Sequence, residues 1–360
     1  MPNVCAKTFG TEKACAGRGR KGVSIREIAR MTGLSITTVS HAINGTRPVS
    51  EKSRRLVEEA IRRTGYRPNL AARALKTQKS NIIALIIPST EPGNSTNCFF
   101  FDVLGGVKDT LQRRGYDLIV STYSERRSDI RLDSVSVLKK SWIDGLLLVP
   151  NSRHSRYDEL LAGVDLPTVL LDRRLDGCDL PLVCCDNESA AEQAVGLLAD
   201  SGRARIGYLG GALDLSTAYD RYAGYRRALE KRGLPLDPGL VRLGLDYSIE
   251  AGREAARELV GQGADAVFAA NSVLTMGLVK YLGGAGIAIP GRVAVVGFDD
   301  YDWTEIANPP ITAVRQSAFA MGAKGAEMLI GLIEGREPPE RTVLLPAGLT
   351  LRESHGPARP

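Results

Sequence analysis

Histidine and tryptophan are scarce in this chain of 360 residues, with three and two respectively, and aromatic side chains make up only 6%. His41, His154 and His355 lie far apart and share no ligand spacing with the cysteines, which argues against a zinc site. The six cysteines, Cys5, Cys15, Cys98, Cys178, Cys184 and Cys185, form no C-x-x-C pair. A chain long enough to bury a large core needs no disulfide staples, so a reducing cytoplasm is the expected compartment. Residues 1 to 22 are polar and basic, and no run of ~18 apolar residues occurs, so neither export nor membrane insertion is expected. Catalytic signatures are missing as well. There is no G-x-S-x-G, no phosphate-binding loop and no G-x-G-x-x-G after a strand, and Gly210-Gly211 is too short a glycine signal for a nucleotide site. Neither an enzyme nor a cofactor is expected.

What is present is charge, unevenly placed. The net +6 conceals a first segment, residues 1 to 80, with seventeen Lys and Arg against five Asp and Glu. That head carries +12, and the remaining residues, with thirty bases and thirty-six acids, carry −6. Neutralising phosphates with Lys and Arg releases counterions and drives nucleic-acid affinity, so the head is expected to meet a polyanion. A merely solvating basic tail would show the same totals, and the order of residues has to decide.

Residues 24 to 64 read as three short helices. Ser24-Ile25-Arg26-Glu27 has capping-box spacing, followed by Ile25, Ile28 and Ala29 on one face, and Thr32-Gly33-Leu34 breaks the helix. Ser35 caps a second helix to Asn44, with Val39, Ala42 and Ile43 inward and Ile36, Thr37, Ser40 and His41 outward. A third helix from Ser50 carries Leu56, Val57, Ala60 and Ile61 on its apolar face and stops at Thr64-Gly65. Two helices joined by a tight glycine-containing turn and braced by a third form a helix-turn-helix. Residues 69 to 76 read as an alanine-rich helical stretch too brief to be stable alone.

From Asn81 the pattern becomes strand, helix, strand. Short apolar runs occur at 82–87, 118–120, 145–149, 168–171, 206–209, 266–269 and 293–296. Helical segments at 101–114, 130–140, 189–201, 219–232, 248–262 and 274–285 separate most of them. Such alternation predicts two doubly wound α/β lobes with parallel sheets, and a ligand site in the cleft at the carboxyl ends of their strands.

Ile25-Arg26-Glu27-Ile28-Ala29, Gly33-Leu34-Ser35 and the run from Thr38 to Gly45 closely resemble the DNA-binding head of the lactose-repressor (LacI/GalR) family of bacterial transcription regulators. Val49-Ser50 with the helix to Arg63, Gly65-Tyr66-Arg67-Pro68-Asn69 and Ala71-Ala72-Arg73-Ala74-Leu75 resemble its third helix and hinge helix. The body resembles its two-lobed, type I periplasmic-binding-protein-like core, so the resemblance covers residues 22 to 355. It implies a basic, disordered extension at 1–21, an all-α helix-turn-helix domain at 22–67, a hinge helix and linker at 68–79, and an effector-binding and dimerisation domain at 80–360. The extension is either a phosphate-contacting arm or the product of a misassigned translation start.

A helix in the major groove presents its first outward side chains to base edges. Ile36 suits a thymine methyl, Thr37 donates or accepts, and His41 can hydrogen-bond a purine N7 or O6; Ser40 and Asn44 complete the implied DNA-facing set. His41 stands where many relatives carry Arg, and the Thr37-Thr38-Val39-Ser40-His41 run looks more like the purine-repressor branch. In the family, paired hinge helices enter the minor groove and a leucine wedges between bases. Leu75 holds that place, with Arg73 and Lys76 adding charge, unless it simply packs on the body.

The resemblance also implies the effector-contacting set. Arg221, in Asp220-Arg221-Tyr222-Ala223-Gly224-Tyr225, resembles the R-x-x-G-[FWY] segment, and Asp299, in Gly297-Phe298-Asp299-Asp300, the G-[FY]-D-[DN] segment. Asp299 could instead cap the next element. Asn271 matches as well, although Ser272 stands where an aspartate is usual. Asp172, in Leu171-Asp172-Arg173, either reaches the cleft or only pairs with Arg173. Phe100 matches the second aromatic of an N-P-F-F segment in which Cys98 replaces the proline, and Tyr247 falls where relatives place a stacking aromatic. The expected molecule is thus a cytoplasmic homodimer on a near-palindromic double-stranded operator, a repressor answering to a small molecule, with a sugar or sugar derivative favoured over a purine. An inducer and a purine-repressor-like corepressor both fit. The rivals are a solute-binding protein, which would lack the basic head, and an activator that senses a partner protein.

Overall fold

The structure, a computed structural model, describes residues 23–44, 47–66, 79–88, 98–123, 125–126, 129–130, 143–154 and 166–356. The chain divides into two compact units, residues 1–78 and 79–360. Arg73, Leu75, Lys76 and the segment 1–21 lie outside the described residues.

The first unit contains α1 (Ile25–Thr32), α2 (Ile36–Asn44) and α3 (Glu51–Thr64). Gly33 and Gly65 end α1 and α3 with φ of 68° and 64°, a left-handed conformation that disfavours any Cβ. Ser35 Oγ accepts from the Thr38 N–H at 3.0 Å, and Ser50 Oγ accepts from the Ser53 N–H at 3.2 Å. Ser24 corrects the capping-box expectation. It occupies the N-cap with extended backbone, yet its side chain makes no cap bond, and its carbonyl accepts from the Glu27 N–H at 2.9 Å. Ile28, Ala29, Val39, Val57 and Ala60 form the core, with Ala42 and Ile43 packed against it. Leu56 leaves the expected apolar face and is exposed, because Val57 and Ala60 set the buried stripe and its neighbour points about 100° away.

The second unit holds two six-stranded sheets. The first has the order β13-β7-β6-β5-β1-β2, from β1 (Ile82–Pro88), β2 (Asp117–Tyr123), β5 (Gly145–Leu148), β6 (Thr168–Leu171), β7 (Leu182–Cys185) and β13 (Thr342–Leu345), all pairing in parallel. The second has the order β14-β12-β11-β10-β8-β9, from β8 (Ile206–Leu209), β9 (Val241–Arg242), β10 (Ala266–Ala269), β11 (Ala294–Phe298), β12 (Thr312–Arg315) and β14 (Gly348–Thr350). There only β14 runs antiparallel, against β12. Parallel strands buried on both faces are continuous apolar runs, and β5, β6, β8, β10 and β11 are buried throughout. Glu125–Arg126 and Asp129–Ile130 form a small antiparallel pair, β3 and β4. Ile130 therefore begins no helix: its backbone is extended in that pairing, and the rest of the expected helix to Lys140 lies outside the described residues.

Helices cover both sheets. α4 (Phe99–Arg113) and α10 (Ala318–Ile333) pack on each other in the first lobe. The second lobe carries α5 (Asn187–Asp200), α6 (Ser216–Lys231), α7 (Ile249–Gly261), α8 (Ser272–Gly284) and the short α9 (Asp302–Ile306). The chain passes between lobes after β7, after β12 and after β13. Among the described residues no helix is long and apolar enough to cross a membrane.

Candidate functional site

Two groups of candidate side chains stand out, one in each unit. In the head, Ile36 is 47% exposed and Thr37 is exposed at the start of α2, while Ser40 and His41 are half-buried, each engaged in contacts, and not fully outward. Val39, about 160° round the helix from Thr37, is fully buried. α2 thus shows one face to solvent and pins the other to α1 and α3. Asn44 is the last residue of the helix.

In the body, the carboxyl ends of strands from both lobes converge. Asp172 follows β6 and Asp299 follows β11, the corresponding strand of the other lobe, and both adopt left-handed backbone with φ of 66° and 73°. Such a conformation is costly for a residue with a Cβ, and is tolerated by Asp better than by most. Arg221, on α6, is buried with its guanidinium 3.6 Å from the Phe298 ring centroid. Its Nε donates to Asn187 Oδ1 at 2.8 Å and its Nη1 to the Ala270 carbonyl at 2.7 Å. Asp299 accepts from Gln316 Nε2 at 2.6 Å. Asn271 is the N-cap of α8, its Oδ1 accepting from the Val273 N–H at 2.8 Å, so that its acceptor is already used in holding the helix start. Phe100 stacks edge-on against Phe99 at 5.3 Å, and the Arg173 guanidinium lies 6.0 Å from its centroid.

Electrostatics ties these groups together. Burial pushes the Asp172 carboxyl above the usual carboxylate range, further than the guanidinium groups of Arg173 and Arg221 pull it down, and Asp299 adds to the rise. Arg173 Nε lies 3.2 Å from Asp172 Oδ2 but without the alignment of a hydrogen bond. The Tyr247 ring is half-buried while its hydroxyl end is enclosed; burial pushes that phenol up, with Arg221 and Arg173 lowering it and Asp299 and Asp172 raising it. Cys184 and Cys185, on β7, are pushed by burial up to about 12 and stay thiols. The structure thus gathers Asp172, Tyr247 and Asp299 around the guanidinium groups of Arg173 and Arg221, with Phe100 and Asn271 at the margin.

A clasp bridges the lobes beside this cluster. The Arg153 N–H donates to the Asp214 carbonyl at 2.6 Å and the Arg174 N–H to Ser216 Oγ at 3.0 Å. Arg174 Nη1 donates to Asp220 Oδ2 at 2.5 Å, and the Arg153 guanidinium sits 4.0 Å over the Tyr219 ring. An open cavity of about 740 Å³ adjoins Asp299, but neither Arg221 nor Asp172 lines it. The cross-lobe geometry of the charged groups, more than cavity volume, therefore marks the cleft.

Sequence reading missed Asn187 and Gln316, which orient Arg221 and Asp299. They follow β7 and β12, two strands that sequence reading did not pick out, and so sit at the crossovers between lobes. The clasp residues were equally hidden, since only folding brings 153 and 174 to α6. Among the described residues no cluster of His, Cys, Asp and Glu is arranged to hold a metal ion.

The sequence matches the family described as bacterial regulatory proteins, lacI family, over residues 24–69, and the periplasmic binding protein-like domain over residues 195–355. It is 32% identical to the HTH-type transcriptional regulator RegA of Clostridium saccharobutylicum, over 92% of this chain and 98% of that protein. Identity to the HTH-type transcriptional regulator CelR of Thermobifida fusca is also 32%, over 93% and 99%. The HTH-type transcriptional repressor PurR of Pasteurella multocida is 28% identical over 92% and 98%. Among solved structures, a transcriptional regulator CelR–cellobiose complex aligns with a TM-score of 0.71 at 30% identity, covering 92% of this chain and 99% of that one. A lac repressor dimer bound to operator and an anti-inducer shares the fold, with a TM-score of 0.83 at 23% identity over 93% of this chain and 100% of that one.

Proposed function

The chain belongs to the lacI family of bacterial regulatory proteins, and from that premise we propose that it is a cytoplasmic, homodimeric transcriptional repressor whose hold on a near-palindromic operator is set by a small molecule bound between the two lobes. Residues 22–67 read the operator through Ile36, Thr37, Ser40, His41 and Asn44. Residues 68–79 carry the hinge, with Arg73, Leu75 and Lys76 toward the minor groove, and residues 80–360 bind effector and partner subunit. The chemistry is recognition, with no bond made or broken.

The observation that carries this reading is the convergence of Arg221, Asp172, Asp299 and Tyr247 from both lobes, in a chain that also bears a helix-turn-helix head. A molecule touching both lobes at once favours one of their relative orientations, and only such a difference in binding free energy can shift an equilibrium. Two buried carboxylates balanced by two guanidinium groups suit a neutral, hydroxyl-rich ligand, and the CelR relative is solved with cellobiose. The PurR relatives and the Thr37–His41 run keep a nucleobase corepressor as the second reading.

Operator sequences selected from a random DNA pool, followed by titration of the complex with neutral sugars and nucleobases, test the proposal. The expected result is a two-fold symmetric site released by a sugar. Release by none and tightening by a nucleobase would select the second reading, whereas no selected DNA sequence would sink both. Leu75→Ala should keep non-specific DNA binding and lose most of the operator bend; an unchanged bend rejects the wedge.

A further inference from the structure

Tyr208, on β8, is fully buried. Its ring is tilted against Tyr225 at 5.0 Å, Tyr222 at 5.3 Å and Phe268 at 6.0 Å, which is ordinary aromatic packing. Its hydroxyl is not ordinary. Tyr225, in the same cluster, donates its hydroxyl to the Ile206 carbonyl at 2.8 Å, but the Tyr208 hydroxyl finds no partner among the described residues. A buried hydroxyl without a partner is a net cost to the fold, which a phenylalanine at this place would avoid.

The hydroxyl also has a direction. A Cβ on Gly210 would lie 2.6 Å from it, and a Cβ on Gly211 would lie 2.3 Å from the hydroxyl of Tyr247. Two phenols from separate elements thus reach one glycine pair at the carboxyl end of β8, where the Leu245 N–H to Gly210 carbonyl bond (3.2 Å) and the Gly244 N–H to Gly211 carbonyl bond (3.1 Å) hold the loop that carries Tyr247. Burial pushes the Tyr208 phenol far up, with Tyr247 adding to the rise and the Arg221 guanidinium opposing it, so it stays neutral and can both donate and accept.

We propose that the Tyr208 hydroxyl is a further specificity-determining group of the cleft, hydrogen-bonding a hydroxyl or carbonyl oxygen of a neutral effector next to Tyr247 and Arg221. The inference rests on the sugar-effector reading above. It gives the unpaired hydroxyl a partner only in the bound state. A site built around such a group rejects analogues that lack the matching oxygen more strongly than an apolar wall could.

The test compares the full-length wild type with Tyr208→Phe, by thermal unfolding and by calorimetric titration with cellobiose, D-ribose and D-glucose. Without sugar, the variant should melt at the same temperature as wild type or higher. With the sugar that stabilises wild type, its affinity should fall about tenfold or more. A lower melting point in the absence of sugar would show the hydroxyl already paired within the protein, and overturns the proposal. An unchanged sugar affinity overturns it too, while leaving the effector reading intact. If none of the three sugars binds wild type, the sugar reading fails and the proposal fails with it.

Discussion

Arg221 is held on two sides by Asn187 and Ala270 and is stacked on Phe298, so its outward direction is fixed in advance. Pre-set donors lose little entropy when a ligand arrives. Arg221→Ala would leave two buried acceptors unpaired, and should lower the stability of the chain by about 2–3 kcal/mol in urea denaturation while abolishing the effector's action on operator binding, a release if the effector is an inducer; a normal dose response would reject the assignment. Asp300 offers a separate residue-level check. Burial alone would raise its carboxyl, but hydrogen bonds from Arg352, Thr304 and Thr350 outweigh burial and hold it below the usual range. Because its pKa is depressed on folding, its stabilisation is present above the unfolded value near 3.8 and disappears as pH falls through the folded one. Asp300→Asn should therefore cost about 2 kcal/mol at neutral pH and much less in strong acid. Equal losses at both would show that the charge is irrelevant. His41→Ala should relax base preference at one position per half-site, by about 1–3 kcal/mol in a selected-sequence profile.

The helices pack through small residues, which makes their spacing testable. A Cβ on Gly322 of α10 would lie 2.0 Å from the Val103 carbonyl of α4, backbone that cannot swing aside. Gly322→Ala should force the pair apart and cost about 2 kcal/mol or more. Gly331→Ala, later on the same helix, meets nothing nearer than the Arg336 carbonyl at 3.7 Å and should leave the melting temperature within a degree or two of wild type or raise it. The elements legible in the sequence were those with a strong local period. The runs at Thr168–Leu171, Ile206–Leu209 and Ala266–Ala269 became strands with those limits, and the head helices fell where glycine and serine punctuate them. β7, β12, β13 and β14 escaped notice although they are about as short as the strands that were found and β13 repeats the Thr-Val-Leu-Leu of β6, so local sequence does not separate them and their strand state rests on pairing with strands far along the chain. The site divides the same way: Asp172, Arg221 and Asp299 stand in local motifs, whereas Asn187, Gln316, Tyr208 and the clasp acquire meaning only through contacts the fold creates.

At the scale of the molecule, the two lobes repeat one plan. The sheet orders β7-β6-β5-β1-β2 and β12-β11-β10-β8-β9 correspond strand for strand, and this puts Asp172 and Asp299 in equivalent places on either side of the cleft. Across that cleft the clasp adds ion pairs and hydrogen bonds of its own, while the charge of the chain separates into a +12 head and a −6 body. Two kinds of salt dependence should follow. Operator binding, dominated by phosphate neutralisation, should weaken by roughly 10³ or more between ~50 and ~200 mM salt if six or more phosphates are engaged. Binding of a neutral effector changes no net charge, so its affinity should move by no more than about threefold over the same range, the residual drift coming from the screened Arg174–Asp220 pair. Asp220→Asn should remove that drift and weaken effector binding a few-fold, since it loosens the clasp between the lobes while leaving the hydrogen bonds of Arg221 to Asn187 and Ala270 in place. Full-length protein titrated at a series of salt concentrations checks both. A steep salt slope for the effector would mean that the cleft takes a charged ligand, and a shallow one for the operator would mean that the basic head is not the surface that meets DNA.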